Sequence, residues 1–241
     1  MRLLLINPNT SVTVTDLAAV AVRRVLPAVE VRAVTGRFGG RYVASRATYA
    51  IAAHAALDVL AEHVAGCEAV YLACFGDPGL LALKEVSPVP VVGMAEGSLH
   101  LAGTRGRRIG VVTGGAAWKP MLEEFAATLG LAGRIAGIRT IAPTGAEIAR
   151  DPDAALARLA AACRACAEED AADVVVLGGA ALAGLAARIA PEVPVPVLCS
   201  VEAGARMAFA AAQLQAGRPP PPAMESVGLG PALADLLAKP A

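Results

Sequence analysis

Aromatic side chains are scarce: 1 Trp, 3 Tyr and 4 Phe make up 3% of the 241 residues. So few flat rings argue against a large hydrophobic ligand or a stacked nucleobase and leave small polar ligands open. Net charge is missing too, because 21 basic and 21 acidic side chains cancel to +0. With no basic stripe, neither nucleic acid nor an anionic membrane is an expected partner. The longest uncharged apolar stretch, Val174 to Ala187, is closed by Asp173 and Arg188, and falls short of the roughly 20 residues that span a bilayer. The mean hydropathy of +0.58 reflects 56 alanines rather than a membrane segment. The opening MRLLLINPNT meets Asn and Pro too early for an export signal, so the expected location is the cytoplasm. No H-E-x-x-H, Walker sequence or carboxylate cluster is present. The nearest glycine pattern, GTRGRRIG, precedes an apolar run instead of following one, which is the wrong order for a dinucleotide loop. Neither metal nor cofactor is expected.

Five cysteines, Cys67, Cys74, Cys163, Cys166 and Cys199, are an odd number, and reduced thiols are the expectation without export. Cys163 and Cys166 form a C-x-x-C, but inside the alanine-rich helical pattern RLAAACRACAEED and with no second pair or His cluster. Buried, inert thiols fit that setting better than a redox pair or half a zinc site.

What the chain has in quantity is short apolar runs alternating with helical patterns. Strands are predicted at Leu3–Asn7, Val29–Ala33, Val70–Cys74, Val89–Gly93, Ile109–Thr113, Ile135–Thr140, Val174–Leu177 and Val195–Leu198. Thr10 and Ser11 precede one helix, Asp77-Pro78 reads as a cap and first-turn proline for GLLALKEV, and Pro152 and Asp153 open another. Uniformly apolar strands separated by helices mean parallel sheets covered on both faces, with ligands at the strands' carboxyl ends. The segment GRPPPPAMES is too proline-rich for regular structure, and GPALADLLAKP after it suits a short docking helix.

An internal repeat organises the whole. VYLACFGDPGLLALKEVSPVPVVGMAEG, from Val70, aligns with VVVLGGAALAGLAARIAPEVPVPVLCSVEA, from Val174, when one residue is inserted. Cys74 then falls opposite Gly179, Gly93 opposite Cys199, and Glu96 opposite Glu202. The expected fold class is α/β: two similar lobes, each a parallel sheet flanked by helices, related by a pseudo-two-fold axis with a cleft between them. Residues 1–95 plus 200–220 are assigned to the first lobe, 96–199 to the second, and 217–241 to a proline-rich tail with a short helix.

Cys74 is the leading candidate for chemistry. It ends an apolar strand where a helix begins, and backbone N–H groups there would depress a thiol pKa or hold a substrate oxygen. A small buried hydrophobe explains the position equally well. Asn7, Asn9, Thr10 and Ser11 in INPNTS, and Thr113 before Gly114-Gly115, place amides and hydroxyls at carboxyl-end turns, though a turn with a helix cap needs fewer of them. Glu96 and Glu202 either answer each other across the cleft or sit in first helical turns, the second being the simpler reading. His100 is spaced for a helical pair with Glu96; His54 and His63 lie far from any strand end.

At INPNTS, ACFGDPGL, VPVVGMAE and LGGAALAG, the chain resembles the aspartate/glutamate/hydantoin racemase superfamily, most of all its hydantoin and allantoin racemases, from residue 2 to roughly 210. The resemblance implies a cofactor-independent racemase or epimerase acting on a small hydantoin- or amino-acid-like substrate that carries a carbonyl or carboxylate, and a homo-oligomer. In that superfamily one cysteine on each lobe serves one face of a planar enolate. By resemblance Cys74 is the first cysteine, and Asn9, the backbone of Phe75 and Gly76, Thr113, and the Gly179–Ala180 turn cradle the substrate. Gly179 stands where the second cysteine belongs. Three explanations follow: Cys199, or less well Glu202 or water, serves the second face; a single thiol protonates an enolate made by loss of CO₂, as in arylmalonate decarboxylases; or the site is retired to binding a small ligand.

Overall fold

The eight apolar runs all form strands because their side chains have nowhere polar to go: Leu3, Leu4, Leu5 and Ile6 are wholly buried, as are Val174, Val175 and Val176. A computed structural model describes residues 1–142, 144–214 and 222–238. In chain order the elements are β1 (Arg2–Asn7), α1 (Val12–Val25), β2 (Glu30–Thr35), α2 (Arg46–His63), β3 (Ala69–Leu72), α3 (Leu80–Val86), β4 (Val91–Gly93) and α4 (Met94–Ala102). The second half follows as β5 (Ile109–Gly114), α5 (Trp118–Thr128), β6 (Ile135–Ile141), α6 (Gly145–Arg150), α7 (Leu156–Glu168), β7 (Val174–Gly178), α8 (Leu185–Ile189), β8 (Val197–Cys199) and α9 (Ser200–Gln213). A last helix, α10 (Pro231–Ala238), packs on α2. Most of the proline run expected to be irregular lies outside the described residues.

Two parallel four-stranded sheets result, in the orders β2-β1-β3-β4 and β6-β5-β7-β8. Strands β4 and β8 begin two residues later than their apolar runs. Pro90 and Pro196 have no N–H for the ladder, so each contributes only a carbonyl, to the N–H of Val70 at 2.8 Å and of Val175 at 2.9 Å. The strand register reproduces the sequence repeat: Leu72 pairs with Gly93 and Leu177 with Cys199. Two residues beyond each leucine stand Cys74 and Gly179, so the lobes are equivalent at those corners.

The lobes exchange helices. Helix α9, which follows the second sheet, lies on β3 and β4, while α4, which follows the first, reaches β7 and β8. The two helices cross at glycines: a Cβ on Gly97 would come within 3.0 Å of the Gly204 Cα. A side chain at either position would therefore push the lobes apart. Glu96 and Glu202 sit in the first turns of these helices, paired with Lys84 and Arg24 respectively, and not with each other. No described helix is long and apolar enough to cross a membrane.

The Asp77-Pro78 expectation needs correction. Helix α3 starts at Leu80 behind Gly79, with no side-chain cap. Asp77 adopts φ 54, which turns its carboxylate away from α3 and onto the first turn of α4. There it accepts the N–H groups of Ala95 at 2.9 Å and Glu96 at 2.7 Å. Gly93 is required beneath it, because a Cβ there would overlap the carboxylate.

Candidate active site

Central strands β1, β3, β5 and β7 end around one cavity of about 40 Å³ between the lobes. Asn9, Cys74, Phe75, Thr113, Gly179 and Ala180, all singled out in the sequence, line it. Cys74 hangs from the tight turn after β3, closed by the Asp77 N–H donating to the Cys74 carbonyl at 3.0 Å. The matching turn after β7 is closed by the Leu182 N–H donating to the Gly179 carbonyl at 3.0 Å. Within each turn two backbone N–H groups, of Phe75 and Gly76 and of Ala180 and Ala181, find no acceptor among the described residues. Of these, Phe75, Ala180 and Ala181 line the cavity, which thus has free amides on both lobes, suited to a carbonyl or carboxylate oxygen.

Asn9 is oriented by its own turn. Its Oδ1 accepts from Asn7 Nδ2 and from the Ser11 N–H, both at 2.9 Å, so its NH₂ group is the end left for a ligand. Asn7, wholly buried, is consumed in this scaffolding through Asn9, the Ser11 carbonyl and Thr15. The Gly179 N–H is likewise spoken for, donating to Ser200 Oγ at 3.1 Å. Gly179 therefore offers the cavity only its bare Cα. Its φ of 136° and ψ of 135° suit glycine and strain any L side chain.

Two expectations fail here. The thiol of Cys74 is not lowered: burial pushes it up, and the nearby Asp77 carboxylate adds to the rise. The helix start that was to depress it lies six residues on, at Leu80, and among the described residues no cation acts on it. Cys199 does not line the cavity. Strand β8 is an edge strand, and the buried Cys199 thiol rests against the amides of Gly184, Glu202 and Val201. Gly76 is also off the wall, lying under the Trp118 ring, which a Cβ at Gly76 would approach to 2.5 Å. Among the described residues no group of three His, Cys, Asp or Glu side chains is placed to hold a metal.

Half of the scarce aromatics gather here, which sequence reasoning missed. The Phe75 ring crosses the lobe boundary to rest on Gly178, where a Cβ would overlap it. Tyr49 donates to the Gly76 carbonyl at 2.8 Å and so fixes the cysteine's turn. Tyr42 reaches from the first lobe to the second, donating to the Gly114 carbonyl at 3.1 Å and accepting from the Gly145 N–H at 3.3 Å. Burial raises its pKa, against the opposing bonds from Gly145 and the Trp118 side chain. A lone Trp just after the Thr-Gly-Gly turn was the one available signal.

Asp77 supports the site at a price in pH sensitivity. Burial pushes its carboxyl up to about 8, although the α4 amides oppose the rise. The folded protein thus keeps a proton that the unfolded chain releases near pH 4, so stability is full below about pH 4 and declines as pH rises toward 8. Urea midpoints measured from pH 4 to 8 should fall, and Asp77→Asn should flatten that slope; an unchanged slope in the variant would rule Asp77 out as its source.

The profile of the family described as Asp/Glu/Hydantoin racemase matches residues 3–208. A hydantoin racemase from Pseudomonas sp. (strain NS671) is 32% identical over 210 residues, covering 86% of this chain and 84% of that one. Another hydantoin racemase, from Paenarthrobacter aurescens, is 32% identical over 211 residues, covering 86% and 89%. Among solved structures, allantoin racemase from Klebsiella pneumoniae superposes with a TM-score of 0.91 at 28% identity, covering 97% of this chain and 98% of that one.

Proposed function

Since the chain belongs to the Asp/Glu/Hydantoin racemase family and is an isomerase of the racemase kind, we propose that it moves a proton at the carbon α to a carbonyl of a small hydantoin- or amino-acid-like substrate. Cys74 is the general acid/base, and the chemistry needs no cofactor. The observation that carries this reading is the Cys74 thiol on a cavity wall that also holds the free amides of Phe75, Ala180 and Ala181. An enolate requires such a set: a proton acceptor facing the α-carbon and hydrogen-bond donors where the oxygen gains charge. Asn9 adds a further donor. We also propose that the protein works in the cytoplasm as a homo-oligomer, following the resemblance.

The cavity is small, about 40 Å³, and is narrowed by Phe75, Trp118 and Leu182, which favours small substituents on the α-carbon. Single enantiomers of 5-methylhydantoin and alanine, incubated with the protein in D₂O, should lose optical rotation and take up solvent deuterium at the α-carbon. The absence of both changes would overturn the reading.

A second reading, a single-thiol decarboxylase, draws on the neutral state in which burial holds Cys74. A protonated thiol is ready to deliver a proton to an enolate left by CO₂ loss. CO₂ release from phenylmethylmalonate without deuterium exchange on the hydantoin would favour it.

A further inference from the structure

We propose that the hydroxyl of Thr113 is the acid on the face opposite Cys74, where Gly179 leaves no thiol. The inference rests on the proton-transfer reading above. If a side chain began at Gly179, the atoms nearest its Cβ, its chain neighbours aside, would be two Leu182 carbons and, at 3.9 Å, Thr113 Oγ1. Thr113 is thus the polar group nearest the place an opposing acid would occupy. It is 5% exposed, yet its hydroxyl bonds to no described residue, and no fully buried polar side-chain atom lacks a partner. The oxygen is therefore open to the cavity that Thr113 lines.

The other proton-bearing groups on the wall are engaged. Tyr42 gives its hydroxyl proton to the Gly114 carbonyl, and Trp118 bonds to Tyr42. Asn9 follows β1, in the same sheet as the strand that leads to Cys74, so its amide belongs to the Cys74 lobe. Cys199 is off the wall. The free N–H groups of Ala180 and Ala181 line the same side as Thr113 and ease a transient negative charge there.

The proton balance closes without a co-reactant other than water. Cys74 thiolate takes the α-proton and becomes a thiol, leaving an enolate. The Thr113 hydroxyl gives its proton to the opposite face of the α-carbon, forming the inverted product and an alkoxide. Water re-protonates the alkoxide, and the resulting hydroxide takes the proton from the Cys74 thiol. An aliphatic hydroxyl is a weaker acid than a thiol, so inversion on this protein is slower than return of the proton by Cys74.

That asymmetry gives a readout that a merely structural role would not move. With each enantiomer of 5-methylhydantoin in D₂O, Thr113→Val should slow loss of optical rotation about 10²-fold or more. Deuterium uptake with retained configuration should persist for the enantiomer whose α-proton faces Cys74. Thr113→Ser should restore inversion. Valine matches threonine in shape and strands no polar partner, so the fold is kept; an unchanged melting temperature checks this. Equal losses of exchange and inversion would make Thr113 a binding group only, and unaltered inversion would remove it from the reaction. The same split produced by Tyr42→Phe instead would move the acid to Tyr42; any of these three overturns the proposal. Failure of the wild type to exchange either enantiomer would instead overturn the parent reading.

Discussion

Replacing Cys74 by serine should eliminate exchange and inversion together, lowering both by about 10²–10⁴-fold, the usual worth of a positioned acid/base. Serine keeps the shape and the turn but supplies no resting anion to take the α-proton, so the loss reports chemistry, not folding. The joint loss also sets this variant apart from Thr113→Val, in which exchange persists. pH supplies a second check on the same thiol. Because burial raises it, little thiolate is present at neutrality, and a reaction that begins with thiolate should accelerate as pH climbs through the alkaline range. A reaction that begins with thiol, as in the decarboxylase reading, should instead be flat and then decline. Wild-type initial rates from pH 6 to 10 tell the two apart, and a serine variant with full turnover would remove Cys74 from either mechanism.

Gly178→Ala should lower stability and activity together. Its Cβ would overlap the Phe75 ring, which is 4% exposed. Overpacking of this sort costs about 1–3 kcal/mol. Here the strain falls on the contact that sets the spacing of the Cys74 turn and the Gly179 turn. Activity should therefore fall beyond what the stability loss explains. A Phe75→Leu, Gly178→Ala double variant should recover part of both, by making room for the methyl. Denaturation midpoints and deuterium exchange rates on the four members of that cycle measure the coupling; additive effects would show that the two residues do not press on each other.

Strand positions were readable because they are carried by local composition. Uninterrupted apolar runs and the two Pro-Val-Pro steps mark the strands and their starts, and the repeat equates Cys74 with Gly179 before any coordinates are known. The place of Cys74 on the cavity wall was readable too, because it stands just past the carboxyl end of an apolar strand. Cys199 misled because a strand end does not announce whether its strand is central or at an edge, and sheet order is a tertiary property. Asp77 misled because Asp-Pro resembles a local cap, whereas a left-handed backbone sends its carboxylate to a helix that starts at Met94. Tyr42 lies in a loop without periodicity, and its role depends on Gly114 and Gly145, which are more than seventy residues away in sequence. The thiol's raised pKa follows from burial around it, which no spacing of residues encodes.

The exchange of α4 and α9 between the lobes bears on how the molecule opens. A cleft between two independent bodies widens by a hinge, but here each sheet is roofed by the helix that leaves the other. The crossing at Gly97 and Gly204 admits no separation without exposing both apolar faces. The jaws are bolted at that end. Tyr42 ties the lobes a second time, through the Gly114 carbonyl and the Gly145 amide. The protein is better pictured as two interlocked halves than as a clam, each completed by a helix from the other.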